Sequence, residues 1–254
     1  MPGPWWHDFF DEEYVRLFAV FTPPERSQRE ADALWSLLGL SAGSRLLDAP
    51  CGYGRLSVPL AERGARVVGV DYSEALLRQA ESARGPLPPD RLRFLRHDLR
   101  QPLSESGFDA AINVFSSLGY GSEEDDLAIL RTLAAAVRPG GLVLVETNHR
   151  DVAVSMLAHG NRLAQRLDDG TLLIEEPRFD AVAGRIETSW YWSGPRGSGQ
   201  KAGSLRVYSI TELVRLMEAA GLRLRSAHSG LSAQPYVAQP PLMGGRVGLL
   251  AERA

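Results

Sequence analysis

Five short apolar runs, separated by turns and helical segments, follow one another between Arg45 and Glu146, and that rhythm leaves few architectures open. Arg45-Leu46-Leu47-Asp48 reads as a strand, followed by a glycine-containing turn and a helix over Arg55 to Arg63. Arg66 to Asp71 is a second strand, and a helix runs from Ser73 through Ala83, with Ser73 and Glu74 suited to its start. Leu92 to Leu95, Phe108 to Val114 and Gly141 to Glu146 supply three more strands. Between the last two lies an amphipathic helix from Glu123 through Val137, ended by Arg138-Pro139-Gly140-Gly141. Strands alternating with helices predict an α/β fold with a doubly wound, mostly parallel sheet.

The flanks differ. Up to about Leu40 the pattern is helical, with Phe9, Phe10, Tyr14, Leu17 and Phe18 at helical spacing and a break at Pro23-Pro24. After Glu146, Leu172 to Glu176, Arg185 to Trp192 and Ser204 to Tyr208 read as antiparallel strands. Gly170, Gly184 and the Gly194 to Gly199 tip supply the turns. A helix from Thr211 to Ala220 and strands at Leu222 to Leu224 and Arg246 to Leu250 close the chain. The expected division is an N-terminal helical cap over 1–40, an α/β core over 41–150, an antiparallel insertion over 151–206, and the rest of the core over 207–254.

Composition narrows the partners. The formal charge of -3 gives no extended basic surface for tracking phosphates, which argues against a nucleic-acid substrate. A single cysteine, Cys51, excludes an internal disulfide framework and fits a reducing compartment. The start, Met1-Pro2-Gly3-Pro4-Trp5-Trp6, lacks the basic and apolar runs of a secretion signal, and no apolar stretch is long enough to span a bilayer. The expectation is a soluble cytoplasmic protein without a membrane partner. No clustered His, Cys and carboxylate spacing suggests a metal.

The chemistry concentrates in Leu46 to Arg55. A Gly-x-Gly pair, Gly52 and Gly54, at a strand-to-helix turn lets a ligand approach the backbone. Asp48 at the strand end suits a cationic ligand better than a pyrophosphate, and the third glycine of the dinucleotide fingerprint is missing, Ser57 following Leu56. Asp71 closes the second strand, where a carboxylate can accept from both hydroxyls of a ribose; the competing reading is a helix cap. Asp98, after the third strand, can accept from an exocyclic adenine amine, or stand as an exposed loop acid.

Leu46 to Gly54, Gly69 to Ser73, His97-Asp98-Leu99, Phe108 to Asn113 and Leu133 to Val145 together resemble the ordered motifs of class I S-adenosylmethionine-dependent methyltransferases. The resemblance covers roughly Arg45 to Glu146. It implies a seven-stranded Rossmann-like sheet with an antiparallel final strand and S-adenosylmethionine across the strand ends. It places Asp48, Gly52 and Gly54 near the methionine part, Asp71 on the ribose, Asp98 and Leu99 at the adenine, and Asn113 beside the methionine amine, with Ala49, Pro50 and Tyr72 also at the cofactor. Pro50 departs from the glycine usual in that loop. The insertion and the N-terminal helices are implied to form a substrate lid. Phe115-Ser116-Ser117-Leu118-Gly119-Tyr120 resembles a stretch of small-molecule N-methyltransferases.

The expected activity is methyl transfer to a nitrogen or oxygen of a small molecule, releasing S-adenosylhomocysteine. A nicotinamide-dependent oxidoreductase and a non-catalytic binder of the same cofactor are the alternatives. Methyl transfer from a sulfonium does not oblige a general base. His149, Tyr120, Glu146 and His228 are residues that could serve as one; His149 also reads as a helix cap and His228 as a surface residue. Trp5, Trp6 and Tyr14 could cover the cofactor or only pin a short helix. Trp190, Trp192 and Tyr208 could line an acceptor pocket or only pack.

Overall fold

The computed structural model describes residues 4–157, 162–236 and 245–254. It begins with two short helices, α1 (Trp6–Phe9) and α2 (Glu12–Phe18), a 3-10 turn (Ala19–Phe21) and α3 (Pro24–Leu37). The Asp11 carboxylate caps α2 by accepting the Tyr14 N–H at 2.8 Å. Pro24 opens α3, where a missing N–H leaves no bond unmade.

The core then alternates β1 (Arg45–Asp48), α4 (Ser57–Glu62), β2 (Arg66–Asp71), α5 (Glu74–Ala83), β3 (Leu92–Arg96), β4 (Phe108–Asn113), α6 (Glu123–Ala136) and β5 (Val137–Asn148). After α7 (Arg150–Leu157) come four strands, β6 (Leu163–Arg166), β7 (Leu172–Asp180), β8 (Arg185–Gly194) and β9 (Gly197–Arg206). The chain closes with α8 (Ile210–Ala219), β10 (Leu222–Ser229) and β11 (Arg246–Arg253).

Seven strands form one sheet in the order β10-β11-β5-β4-β1-β2-β3, in which β11 alone runs antiparallel to its neighbours. Helices cover both faces, so consecutive strand residues are buried: Leu46, Leu47, Ile112, Leu144 and Val145 have no accessible surface. The chain winds outward from β1 through β2 to β3, then returns to the other side of β1 as β4. That reversal opens a crevice at the carboxyl ends of β1 and β4, the place where such sheets bind ligands.

The second sheet, β6-β7-β8-β9, is wholly antiparallel. It differs from the sequence reading at β9, which begins at Gly197 after a tip of Pro195-Arg196 and ends before Tyr208. Glycines and small polar residues hide this strand from periodicity, yet they have a reason. A Cβ on Gly199 would run into the Trp192 ring, and one on Gly203 into Trp5. β6 was not expected, α7 was foreshadowed only by the capping reading of His149, and β5 extends back through Arg138-Pro139-Gly140-Gly141 to Val137.

One turn joins the two sheets. The Arg185 guanidinium donates to the carbonyls of Gly119 (2.9 Å), Tyr120 (2.9 Å) and Gly121 (3.1 Å). The Arg206 N–H donates to Gly119 O at 2.7 Å, and the Tyr208 hydroxyl donates to Asp126 at 2.6 Å. Gly119 sits at φ 96, and a Cβ there would collide with the Arg206 carbonyl. Among the described residues no helix is long and apolar enough to cross a membrane.

Candidate active site

Three carboxylates stand at the ends of three consecutive strands and line one cavity: Asp48 after β1, Asp71 after β2 and Asp98 just past β3. Asp48 is 1% exposed and accepts the Ser57 hydroxyl at 2.5 Å. Burial pushes its carboxyl up to about 7, against the opposing pull of Ser57 and Arg55. Asp71 accepts the N–H of Gly52 at 2.9 Å and of Ser73 at 2.8 Å, which fixes the plane of its carboxylate. Burial also raises Asp71, while those backbone donors pull the other way. The cap of α5 is the Ser73 hydroxyl, which accepts from Leu76 N at 3.2 Å, so the helix-cap reading of Asp71 does not hold. Asp98 is gripped by Arg100, whose hydrogen bonds hold its carboxyl below the usual range.

Of the other residues expected at the site, Tyr14, Pro50, Gly52, Tyr72 and Leu99 also line the cavity. Ala49, Gly54 and Asn113 do not; they are buried behind its wall. The two glycines have different tasks. Gly52 (φ 56) faces open space, whereas a Cβ on Gly54 would press on Phe94 and Ala80, so Gly54 serves the packing of turn against helix. Asn113 donates its amide to the Ala49 carbonyl at 2.8 Å and leaves its own Oδ1 buried without a partner.

The roof comes from the N-terminal segment. Trp6, Phe10, Tyr14 and Phe18 face the cavity, Tyr14 and Phe18 one turn apart on α2 and Phe10 in the break between the two helices. Tyr14 stacks on Phe18 (5.1 Å between centroids) and on Trp190 (5.9 Å). The Ser73 hydroxyl donates to Phe10 O at 2.6 Å, and Lys201 bonds Asp8 O (3.0 Å) and the Asp11 carboxylate (2.8 Å), so the roof is tied to both sheets.

Sequence reasoning missed Arg55 and the backbone of Phe115. Phe115 (φ 70) and Ser116 (φ 60) occupy the left-handed region, held there by the Phe115 N–H to the Glu146 carboxylate (2.8 Å) and the Ser116 N–H to Glu146 O (3.1 Å). Arg26, Arg55 and Arg246 lie over the Phe115 ring, 4.5 to 5.3 Å from its centre. Arg26 and Arg55 share a single acid, Glu30, and the Arg55 Nη2 is buried without a hydrogen-bond partner. Such a cluster forms from segments far apart in the chain, so no local pattern announces it.

Residues 46–141 match the family described as Methyltransferase domain. The chain is 29% identical to glycine N-methyltransferase of Mus musculus over 164 residues, 58% of this chain and 55% of that one. It is 35% identical over 130 residues to the 23S rRNA (uracil(1939)-C(5))-methyltransferase RlmD of Azoarcus sp. (strain BH72), 46% of this chain and 28% of that one. The solved CcbJ methyltransferase from Streptomyces caelestis superposes with a TM-score of 0.78 at 20% identity, over 94% of this chain and 96% of that one. Over residues 46–141 the chain carries a methyltransferase domain, and its fold is shared with solved methyltransferases. It spans about half the length of the first curated relatives it matches.

Of the four residues weighed as general bases, three are occupied elsewhere. His149 caps α7, accepting the Asp151 N–H at Nδ1 (3.2 Å), while its Nε2 meets the Tyr236 hydroxyl at 2.6 Å. Glu146 is 3% exposed and paired with Arg246. His228 is buried against the Ser226 hydroxyl (2.8 Å), correcting its surface reading. Tyr120 does line the cavity, but burial pushes its hydroxyl well up, away from the range of a base. Trp190, Trp192 and Tyr208 are not among the cavity-lining residues. Trp190 stacks behind the roof, Trp192 packs on Gly199, and Tyr208 bonds Asp126.

Proposed function

We propose that this chain transfers a methyl group from S-adenosylmethionine to a nitrogen or oxygen of a small molecule, leaving S-adenosylhomocysteine. The observation that carries the reading is the row of Asp48, Asp71 and Asp98 at three successive strand ends facing one cavity.

The residues present fit the cofactor. Asp71 keeps lone pairs free beside its two backbone bonds and can accept from two ribose hydroxyls. Asp98, also on the cavity lining, would accept from a purine amine. Asp48, a buried acid with one hydroxyl partner, suits an ammonium; the unpartnered Arg55 Nη2 suits a carboxylate. Together they match the two charges of an amino acid. A pyrophosphate at the β1 turn would meet Asp48, which disfavours a nicotinamide cofactor. When bound, S-adenosylmethionine supplies an electrophilic methyl on a sulfonium. The faces of Phe10, Tyr14 and Phe18 present negative π-density to such a cation and keep water from it. With Glu146 and His149 engaged elsewhere, alignment and water exclusion are the main means of rate enhancement.

A roofed, aromatic cavity and a net charge of -3 support a small acceptor over an RNA. Calorimetric titration with S-adenosylmethionine, S-adenosylhomocysteine and NADH tests the cofactor. Micromolar binding of the first two and none of NADH is expected, followed by turnover in a screen of small amines and phenols. Binding of NADH alone overturns the reading. Tight cofactor binding without turnover on any acceptor would favour a non-catalytic binder.

A further inference from the structure

The turn after β3 is built around one ion pair. Its backbone is pinned by the Gln101 N–H to Asp98 O (2.8 Å) and by the Thr132 hydroxyl to Gln101 O (3.2 Å). The Asp98 carboxylate takes the Arg100 N–H and Nε at Oδ1, both at 3.0 Å, and Nη2 at Oδ2, at 2.7 Å. The two side chains are 27% and 29% exposed, a setting in which an ion pair adds little to stability. Both line the cavity. Arg100 is held from its other sides as well. Its Nη1 lies 3.5 Å from Asp125, the capping-box acid of α6, and its guanidinium carbon lies 5.7 Å from the Trp6 ring of the roof.

A two-point fork fixes both the position and the plane of a carboxylate. With Oδ1 taking two donors and Oδ2 holding Nη2 at 2.7 Å and a longer share of Nε at 3.2 Å, the carboxylate cannot turn, and a further donor meets an Oδ2 of fixed direction. An ionised carboxylate only accepts, so an oxygen fixed in this way takes an N–H and repels a carbonyl. The same fork keeps the Asp98 carboxyl below its ordinary range and therefore charged.

We propose that Arg100 is a positioning residue that sets Asp98 to read the exocyclic amine of the cofactor's purine, making the site select an amino over an oxo purine. The proposal rests on the S-adenosylmethionine reading of this cavity. It also gives the roof a role at the purine end, because Trp6 packs on the guanidinium that orients the reader.

The test is calorimetry of the full chain with S-adenosylhomocysteine and with S-inosylhomocysteine, which carries an oxo group in place of the amine. The wild-type chain is expected to prefer the adenosyl form by at least tenfold. In R100M the preference falls to about threefold or less, through weaker adenosyl binding alone. R100K, a one-point cation, restores part of it, and D98N removes it. Melting temperatures identify any variant that does not fold; if R100M is one, the ratio in R100K decides. A wild-type ratio in folded R100M or R100K overturns the proposal. So does tighter adenosyl binding in R100M, which would mean that Arg100 occupies the amine's place. Failure of the wild-type chain to bind either ligand overturns the cofactor reading, and this inference with it.

Discussion

Asp48 shows how a site residue can work against the fold that holds it. Its carboxyl is raised from 3.8 to about 7 by burial, so between those values the folded chain binds more protons than the unfolded one. Stability of the ligand-free protein therefore falls as pH rises through that window and stays lower above it. An Asn at this position keeps an oxygen for the Ser57 hydroxyl but carries no charge. Asp48→Asn is expected to melt several degrees above wild type at pH 8, the gap closing toward pH 4, while losing at least tenfold in S-adenosylhomocysteine affinity. Wild-type affinity should climb with pH through 7, a dependence absent from the variant. Melts and titrations over pH 4 to 8 check both halves; a variant that melts below wild type at pH 8 would contradict the account. Asp48, Asp71 and Asp98 were legible because a strand end is a local feature. Gly54 lies off the cavity lining, and the sequence does not say whether a missing Cβ makes room for a ligand or, as here, for Phe94.

Among the elements, β1 to β4 were readable to within a residue, since burial on both faces writes continuous apolar runs, while β5, β10 and β11 run several residues past the apolar runs that announced them. β9 was not, because its register comes from β8 and from the rings of Trp192 and Trp5 lying across its glycines. The N-terminal segment was readable as helix, while its role as a roof depends on contacts with Trp190, Ser73 and Lys201 that no periodicity encodes. Removing residues 1–21 would uncover Leu173 and Trp190, now 2% and 5% exposed, together with the purine-side contact of Trp6 on Arg100. The truncated chain is expected to bind a hydrophobic dye and to lose at least tenfold in cofactor affinity. Intact affinity in the truncated chain would reduce the segment to a packing element.

At the scale of the whole molecule, the antiparallel sheet is fastened to the α/β core at the same turn that forms part of the cavity wall. Arg185 reaches from β8 to three carbonyls of Gly119, Tyr120 and Gly121, and also bonds Ser204 on β9, through its hydroxyl at 2.6 Å and its carbonyl at 2.9 Å. Tyr208 and Asp126 form a second tie a few residues away. A sheet held so closely to the cavity wall couples the position of β8 to that of Tyr120. Arg185→Met keeps the length of the stem and leaves the carbonyls without their donor, at a cost of about 1–3 kcal/mol. Amide exchange of residues 117–121 and 200–206 should quicken in this variant while β1 and β2 keep their protection, and Arg185→Lys should recover part of the loss. Unchanged protection on both segments, with an unchanged melting temperature, would mean that Tyr208 and Asp126 suffice to hold the sheets together. Faster exchange throughout the core would instead mean that the two sheets unfold as a single cooperative unit.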